Sequence, residues 1–193
     1  MKAPIVQKSG SITYTWYETD KFPKVWPITQ AYPFCFNSVG KLLIVQSKRG
    51  GLHWTLPGGM IEKGESSIDA LKREAWEEAN VRLEDIQFMG YQEVAGKGEI
   101  FYQVRYFAVV KMMSKLTADP DGDIVVRRFI NPKDFSKYLK WGKTGEAMIR
   151  CALDHKKSDF VITRSTKISF VLLLVITVVA LTFVLWFFLK IIK

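Results

Sequence analysis

"GGMIEKGESSIDALKREAWEEANV", residues 58–81, places Glu65, Glu74, Glu77 and Glu78 in one short stretch of a chain whose formal net charge is +9. From about Ser67 to Ala79 the stretch reads as a helix. At about 100° per residue, Ile68, Leu71, Ala75 and Ala79 form an apolar stripe, and Glu74, Glu77 and Glu78 share an adjoining arc of about 100°. One edge therefore faces a core and its neighbour is carboxylate. Glutamates at i, i+3 and i+4 repel by roughly 0.2–0.5 kcal/mol per pair, so something must offset them. A divalent cation would do so, because Mg²⁺ takes carboxylate oxygens, keeps several waters and shares its remaining positions with substrate phosphates. The plainer alternative is a solvated face with Lys72 and Arg73 as partners.

Outward from this helix the chain reads mostly as strand. "SITYTWY" at 11–17 carries β-formers in alternation, and "YPFCFNSVGKLLIVQSK" reads as a hairpin turning at Asn37–Lys41 with its second strand at Leu42–Gln46. "RGGLHWTLPGG" is broken by glycine and proline and reads as loop. Strands resume with "EDIQFMGYQEVA", then with residues 99–111 after a turn at Gly96–Gly98, and again at 124–130. "PKDFSKYLKW" and "GEAMIRCALDHKK" read as helices. Strands on both sides of a central acidic helix argue for an α+β fold, a mixed sheet with helices packed on it.

With 193 residues, 48% of them hydrophobic, the chain can bury one core of ordinary size. The apolar residues are unevenly spread, because Ile168–Leu189, "ISFVLLLVITVVALTFVLWFFL", runs 22 residues without a charge. As a helix this run is roughly 33 Å long, enough for a hydrocarbon layer of roughly 30 Å. The expected organisation is a globular domain at 1–155, a basic linker at 156–167, a transmembrane helix at 168–189 and a short tail at 190–193. Lys156, Lys157, Arg164 and Lys167 before the span outnumber Lys190 and Lys193 after it, which predicts a tail-anchored protein with its domain in the cytoplasm and membrane lipids as partners. The N-terminus has no apolar run of a secretory signal.

Residues 151–193 carry a net +4, leaving +5 on residues 1–150. No nucleic-acid-binding motif accompanies that excess, so nucleic acid is not indicated; anionic lipid or a polyphosphate substrate would account for it. Cys35 and Cys151 stand alone, without CxxC spacing or a histidine cluster, and read as buried thiols. His53 and His155 are isolated. Trp16, Trp26, Tyr32 and Trp54 read first as packing residues, any of which could instead stack on a nucleobase.

The spacing Gly59, five residues, Glu65, seven residues, Arg73-Glu74-Ala75-Trp76-Glu77-Glu78 and then Val81 resembles the Nudix box position by position. At ordinary residue frequencies such a match in a chain this long has a probability on the order of 10⁻⁵. The resemblance, to the Nudix hydrolase family, extends over about residues 10–155 and excludes the anchor. It implies an α/β/α sandwich around a mixed sheet and a site that hydrolyses a diphosphate bond in a nucleoside diphosphate linked to another group. Carried over residue by residue, it makes Glu74, Glu77 and Glu78 the metal ligands and catalytic residues, with Mg²⁺, or Mn²⁺ in its place, as cofactor. Gly58 and Gly59 form the tight loop beside them, and Arg73 and Glu65 support it as an ion pair. Candidate general bases are Glu78 or, outside the box, Glu93 and Glu99. Ser66 and Asp69 resemble a capping box. One position departs from the family: Asn80 stands where the pattern has glycine, at a helix end where asparagine is the next most tolerated residue. The alternative function is a fold that senses a nucleotide or a partner at the membrane without turnover; the intact carboxylates favour the enzyme.

Overall fold

Alternation along the central strands decides which layer each side chain joins. The computed structural model describes residues 2–25 and 27–157. In β3 (Ile28–Phe36) the even residues Phe34 and Phe36 enter one core, while Ala31 and Cys35 face the opposite side. In β4 (Leu42–Ser47) Leu42 and Ile44 join the first core, and Leu43 and Val45 the second. Such strands are buried on both faces, and they read as near-continuous apolar runs for that reason.

The second face is covered by α1 (Ser67–Ala79), through Ala70, Leu71, Ala75 and Ala79. Burying a side chain such as Leu71 contributes roughly 2 kcal/mol. Ile68, expected in the stripe, is instead 39% exposed, and Ala70 takes the inward place. The sheet meets a narrower arc of the helix than the apolar spacing suggested. The first face is covered by Phe135 of α2 (Phe135–Tyr138), Leu139, and Ala147, Met148 and Ala152 from the helical residues 142–153. Helix, sheet and helix thus form the three layers of the expected sandwich. The chain divides into two compact units, Met1–Leu153 and Asp154–Lys193, and of the second only residues 154–157, which are helical, are described.

The remaining strands are β1 (Ile5–Ser9), β2 (Ile12–Glu18), β5 (His53–Thr55), β6 (Gly59–Met60), β7 (Val81–Gly96), β8 (Glu99–Met113) and β9 (Ile124–Ile130). Their order is β1-β2-β7-β8-β3-β4-β5, with β6 on β3 and β9 on β4. β3 and β8 run parallel, with Phe34 opposite Phe107, and the other pairings are antiparallel. The sheet is therefore mixed, as expected. The segment read as loop between β4 and α1 also contributes the short strands β5 and β6, and β1 adds a pairing that the sequence reading did not include. Cys35 and Cys151 are both buried. Among the described residues no helix is long and apolar enough to cross a membrane. The span expected at 168–189 and Trp26 lie outside the described residues.

Candidate active site

Helix α1 starts where Ser66 stops extended backbone: its Oγ accepts the Asp69 N–H at 3.1 Å and donates to the Asp69 carboxylate at 2.6 Å. That cap fixes the helical phase of everything downstream. One turn on, Arg73 uses its whole guanidinium. Nε and Nη2 each lie 3.0 Å from an oxygen of Glu65, Nη2 also donates to the Met60 carbonyl at 3.0 Å, and Nη1 donates to Glu74 and Glu77, both at 3.0 Å. The fork geometry ties the loop after β6 to the helix, a task the two parallel N–H groups of arginine suit and a lysine ammonium does not. Hydrogen bonding from Arg73 lowers the pKa of Glu65, and the Glu65 carboxylate in turn raises that of Arg73. The expected Arg73–Glu65 pair is thus in place.

The glycine loop is held against the sheet by β6, with Ala31 opposite Gly59 and Gln30 opposite Met60. Gly58 has a φ of +135°, and a Cβ there would lie 2.5 Å from the Ala31 carbonyl oxygen. At Gly59 a Cβ would come within 2.8 Å of the Glu74 carboxylate. Gly58 is required by its backbone conformation and by close approach to backbone, whereas a Cβ at Gly59 would displace the Glu74 carboxylate. The Gly58 N–H donates to Glu78 at 2.8 Å, so loop backbone and helix carboxylate are directly joined.

Glu78 is the most perturbed carboxyl of the cluster. Burial pushes its pKa up to about 8 against the opposing Gly58 hydrogen bond, with the negative charges of Glu74 and Asp119 adding to the rise. Burial likewise raises Glu74, although Arg73 partly counters it. A cleft of about 610 Å³ opens over these groups, lined by Glu62, the three box glutamates and Asp119, Asp121 and Asp123, against Arg49 and Arg73. Negative charge outweighs positive charge here in a protein that is basic overall.

The aspartates, from the loop "ADPDGD" at 118–123, are residues that sequence reasoning missed. Asp119 accepts the backbone N–H groups of Asp123 and Ile124 at 2.7 and 3.1 Å and so shapes its own loop. Asp123 and Asp121 pair with Arg49 at 2.6 and 3.3 Å. Three acids interleaved with proline and glycine was the signal available. The candidate bases outside the box do not reach the cleft: Glu93, opposite Tyr102 in the β7–β8 pair, accepts that tyrosine's hydroxyl at 3.2 Å, and Glu99 lies in a separate hollow with Pro27 and Phe101. His53 is exposed on the cleft rim, 2.7 Å from the Gly51 carbonyl. Trp16 is core, and Trp54 sits edge-on to Tyr138 at 5.6 Å.

Asn80 ends the helix in the left-handed region, at φ 47° and ψ 46°, with its N–H 2.9 Å from the Trp76 carbonyl. Its side chain does something glycine could not: Oδ1 accepts the Thr117 N–H at 2.7 Å and the Thr117 hydroxyl at 3.1 Å. Arg127 of β9 also donates to the Ala79 carbonyl, placing a cation at the negative end of the helix.

Among the described residues no group of three or more His, Cys, Asp or Glu side chains forms a ready-made metal cage. The donor chemistry nonetheless fits a hard cation that completes its shell with water and phosphate, because the carboxyl oxygens are clustered and partly buried, and burial above all holds Glu74 and Glu78 above their ordinary pKa.

A sequence profile of the NUDIX domain matches residues 29–150. The chain belongs to the Nudix family. Its Nudix domain is 30% identical over 76 residues to the putative 8-oxo-dGTP diphosphatase YtkD of Bacillus subtilis, a match covering 39% of this chain and 47% of that protein. It thus spans less than half of that relative. In structure the Nudix domain is similar to the Bacillus subtilis pyrophosphohydrolase BsRppH, with a TM-score of 0.64 at 19% identity over 80% of this chain and 97% of that one. It is also similar to a C. elegans Ap4A hydrolase, with a TM-score of 0.53 at 20% identity over 71% and 99% of the two chains. At these identities the structural likeness establishes the fold.

Proposed function

We propose that the protein is a divalent-metal-dependent hydrolase that splits the diphosphate bond of a nucleoside diphosphate linked to another group. The observation that carries this reading is the convergence of Glu74 and Glu78 on the Gly58–Gly59 loop, with the Glu78 carboxyl raised to about 8. Glu74, Glu77 and Glu78 are the carboxylates available to hold Mg²⁺ or Mn²⁺. A cation bound there supplies charge neutralisation to the diphosphate and acidity to a coordinated water. Glu78, oriented by the Gly58 N–H, is the candidate base of the box. Arg73 keeps the loop and the helix in one frame, so that the carboxylates meet the substrate without reorganisation. The activity of YtkD, an 8-oxo-dGTP diphosphatase by its name, is consistent with a nucleotide substrate.

A screen of the purified protein against nucleotide sugars, ADP-ribose, dinucleoside polyphosphates and (d)NTPs, with Mg²⁺ and with chelator, tests the reading. Mg²⁺-dependent release of a nucleoside monophosphate or phosphate, abolished by Glu74→Gln and by Glu78→Gln, is expected. Binding without turnover of any of these compounds would instead make the site a nucleotide sensor. The same proposal places the domain on the cytoplasmic side of a membrane, held by residues 168–189. Resistance to carbonate extraction is expected, and release by carbonate refutes the anchor.

A further inference from the structure

Next to the acidic cleft lies a second hollow of about 250 Å³ that shares Tyr32 and Thr55 with it. Its charge is the reverse: the lining contains Arg105 and Lys140 and no carboxylate. Arg105, on β8, is only 3% exposed. Its guanidinium lies over the Tyr32 ring, 4.6 Å from the centroid, with the Trp141 ring at 5.8 Å. Nη2 donates to the side-chain oxygens of Gln92 and Gln103 at 3.1 and 2.5 Å, and Nη1 to the Val104 carbonyl at 3.4 Å. Nε is buried without an acceptor.

A guanidinium has five N–H donors and three acceptors meet it here, all of them neutral. Amide oxygens and aromatic faces soften the burial of a cation but do not supply a counter-charge. Desolvation accordingly lowers the Arg105 pKa to about 10. Two other arginines of this domain show the contrast: Arg73 meets Glu62, Glu65, Glu74 and Glu77, and Arg49 meets two aspartates. Burying an arginine at the base of a cavity, with donors left over and a lysine exposed at the rim, leaves a place for an oxyanion brought from outside.

We propose that this hollow binds an anionic group, a phosphate or a carboxylate, carried by the substrate away from the scissile diphosphate, with Arg105 as the residue that selects it. The proposal rests on the reading of the acidic cleft as the diphosphate site, because Tyr32 then stands between the reacting end and the selected end of one ligand. The two hollows divide the substrate by charge: carboxylates, through a cation, take the diphosphate, and the guanidinium takes the distant anion directly. Charge-assisted hydrogen bonds in such a setting are worth about tenfold or more in binding.

Two measurements on the full-length protein test it. The first is binding of inorganic phosphate in EDTA at constant ionic strength, read from the fluorescence of Trp141 beside the guanidinium. A saturable change in the wild type that is absent in Arg105→Gln and weakened in Lys140→Gln is expected. The second compares matched substrates under Mg²⁺: UDP-glucuronate with UDP-glucose for a carboxylate, ADP-ribose 2′-phosphate with ADP-ribose for a phosphate. A KM lower by about tenfold or more for the anionic member of at least one pair supports the proposal and tells which anion is meant. Arg105→Gln should bring that ratio to about one. The wild-type comparisons need no variant, so a misfolded Arg105→Gln leaves the test intact. Equal KM values within both pairs together with no saturable phosphate binding overturn the proposal. So does a preference confined to GDP-glucose over ADP-glucose, which would assign Arg105 to the neutral acceptor edge of guanine. If none of these diphosphates is hydrolysed, the diphosphate reading fails, and the phosphate titration alone decides the anion subsite.

Discussion

Replacing Asn80 by glycine restores the residue of the family pattern, and the structure says that it will weaken this protein. A non-glycine residue in the left-handed conformation costs roughly 1 kcal/mol, less for asparagine, so Asn80→Gly relieves at most about that amount at φ 47°. Against this stand two hydrogen bonds from Thr117 to Asn80 Oδ1, at 2.7 and 3.1 Å, made by a side chain on a residue only 5% exposed. Each contributes about 1 kcal/mol net, and the part-buried Thr117 N–H left without an acceptor costs about 1 kcal/mol more. The expected balance is a loss of about 1–2 kcal/mol, or a fall in melting temperature of roughly 2–8 °C for a domain of this size. Urea unfolding of wild type, Asn80→Gly, Thr117→Val and the double variant measures it. The two substitutions should be non-additive by about 0.5–1 kcal/mol, because Thr117→Val removes the hydroxyl that Asn80 accepts. A stabilised Asn80→Gly, or strict additivity in the cycle, refutes the argument and returns Asn80 to the role of a plain helix stop.

Two further outcomes follow from the cleft. Glu78 holds its proton to about pH 8 when folded and to about 4.5 when unfolded, so in chelator the native state binds the extra proton between those values and stability falls as pH rises through them. At about 1.4 kcal/mol per tenfold change, the loss by pH 9 is ~5 kcal/mol; Glu78→Gln should lack it, and parallel pH–stability curves for variant and wild type would contradict the assignment. Gly59→Ala forces the Glu74 carboxylate away from a Cβ that would lie at 2.8 Å. Turnover should drop about 100-fold with stability lowered by only about 1 kcal/mol, whereas full activity would show that Glu74 has room to spare.

What could be read from sequence was what depends on neighbours along the chain. The cap at Ser66 and the helix to Ala79 follow from local spacing, the Arg73–Glu65 pair from the Nudix resemblance, and all are found. Ile68 did not follow, because periodicity gives the direction of an apolar face but not the width of the surface that covers it. Asp119, Asp121 and Asp123 reach the box only because β8 and β9 return the chain to it, a long-range closure that no local pattern encodes. Glu93 and Glu99 fail for the converse reason, since the β7–β8 hairpin carries them away from the carboxylates they resemble. Arg105 was the least visible. In a strand reading "QVRYFAVV" one arginine looks like an ordinary outward residue, and only the parallel pairing with β3 and the Trp141 segment enclose it.

The position of β3 between the two hollows limits how this protein can change. Ala31 and Tyr32 are consecutive: the first pairs with the glycine loop, and the second borders both cavities. A mutation in β3 that reshapes the smaller hollow therefore disturbs the diphosphate loop in the same step. Gln92, Lys140 and Trp141 line the smaller hollow alone. New substrates are most readily acquired there, on β7 and the 140–144 segment, where selectivity can drift while the hydrolytic apparatus stays still.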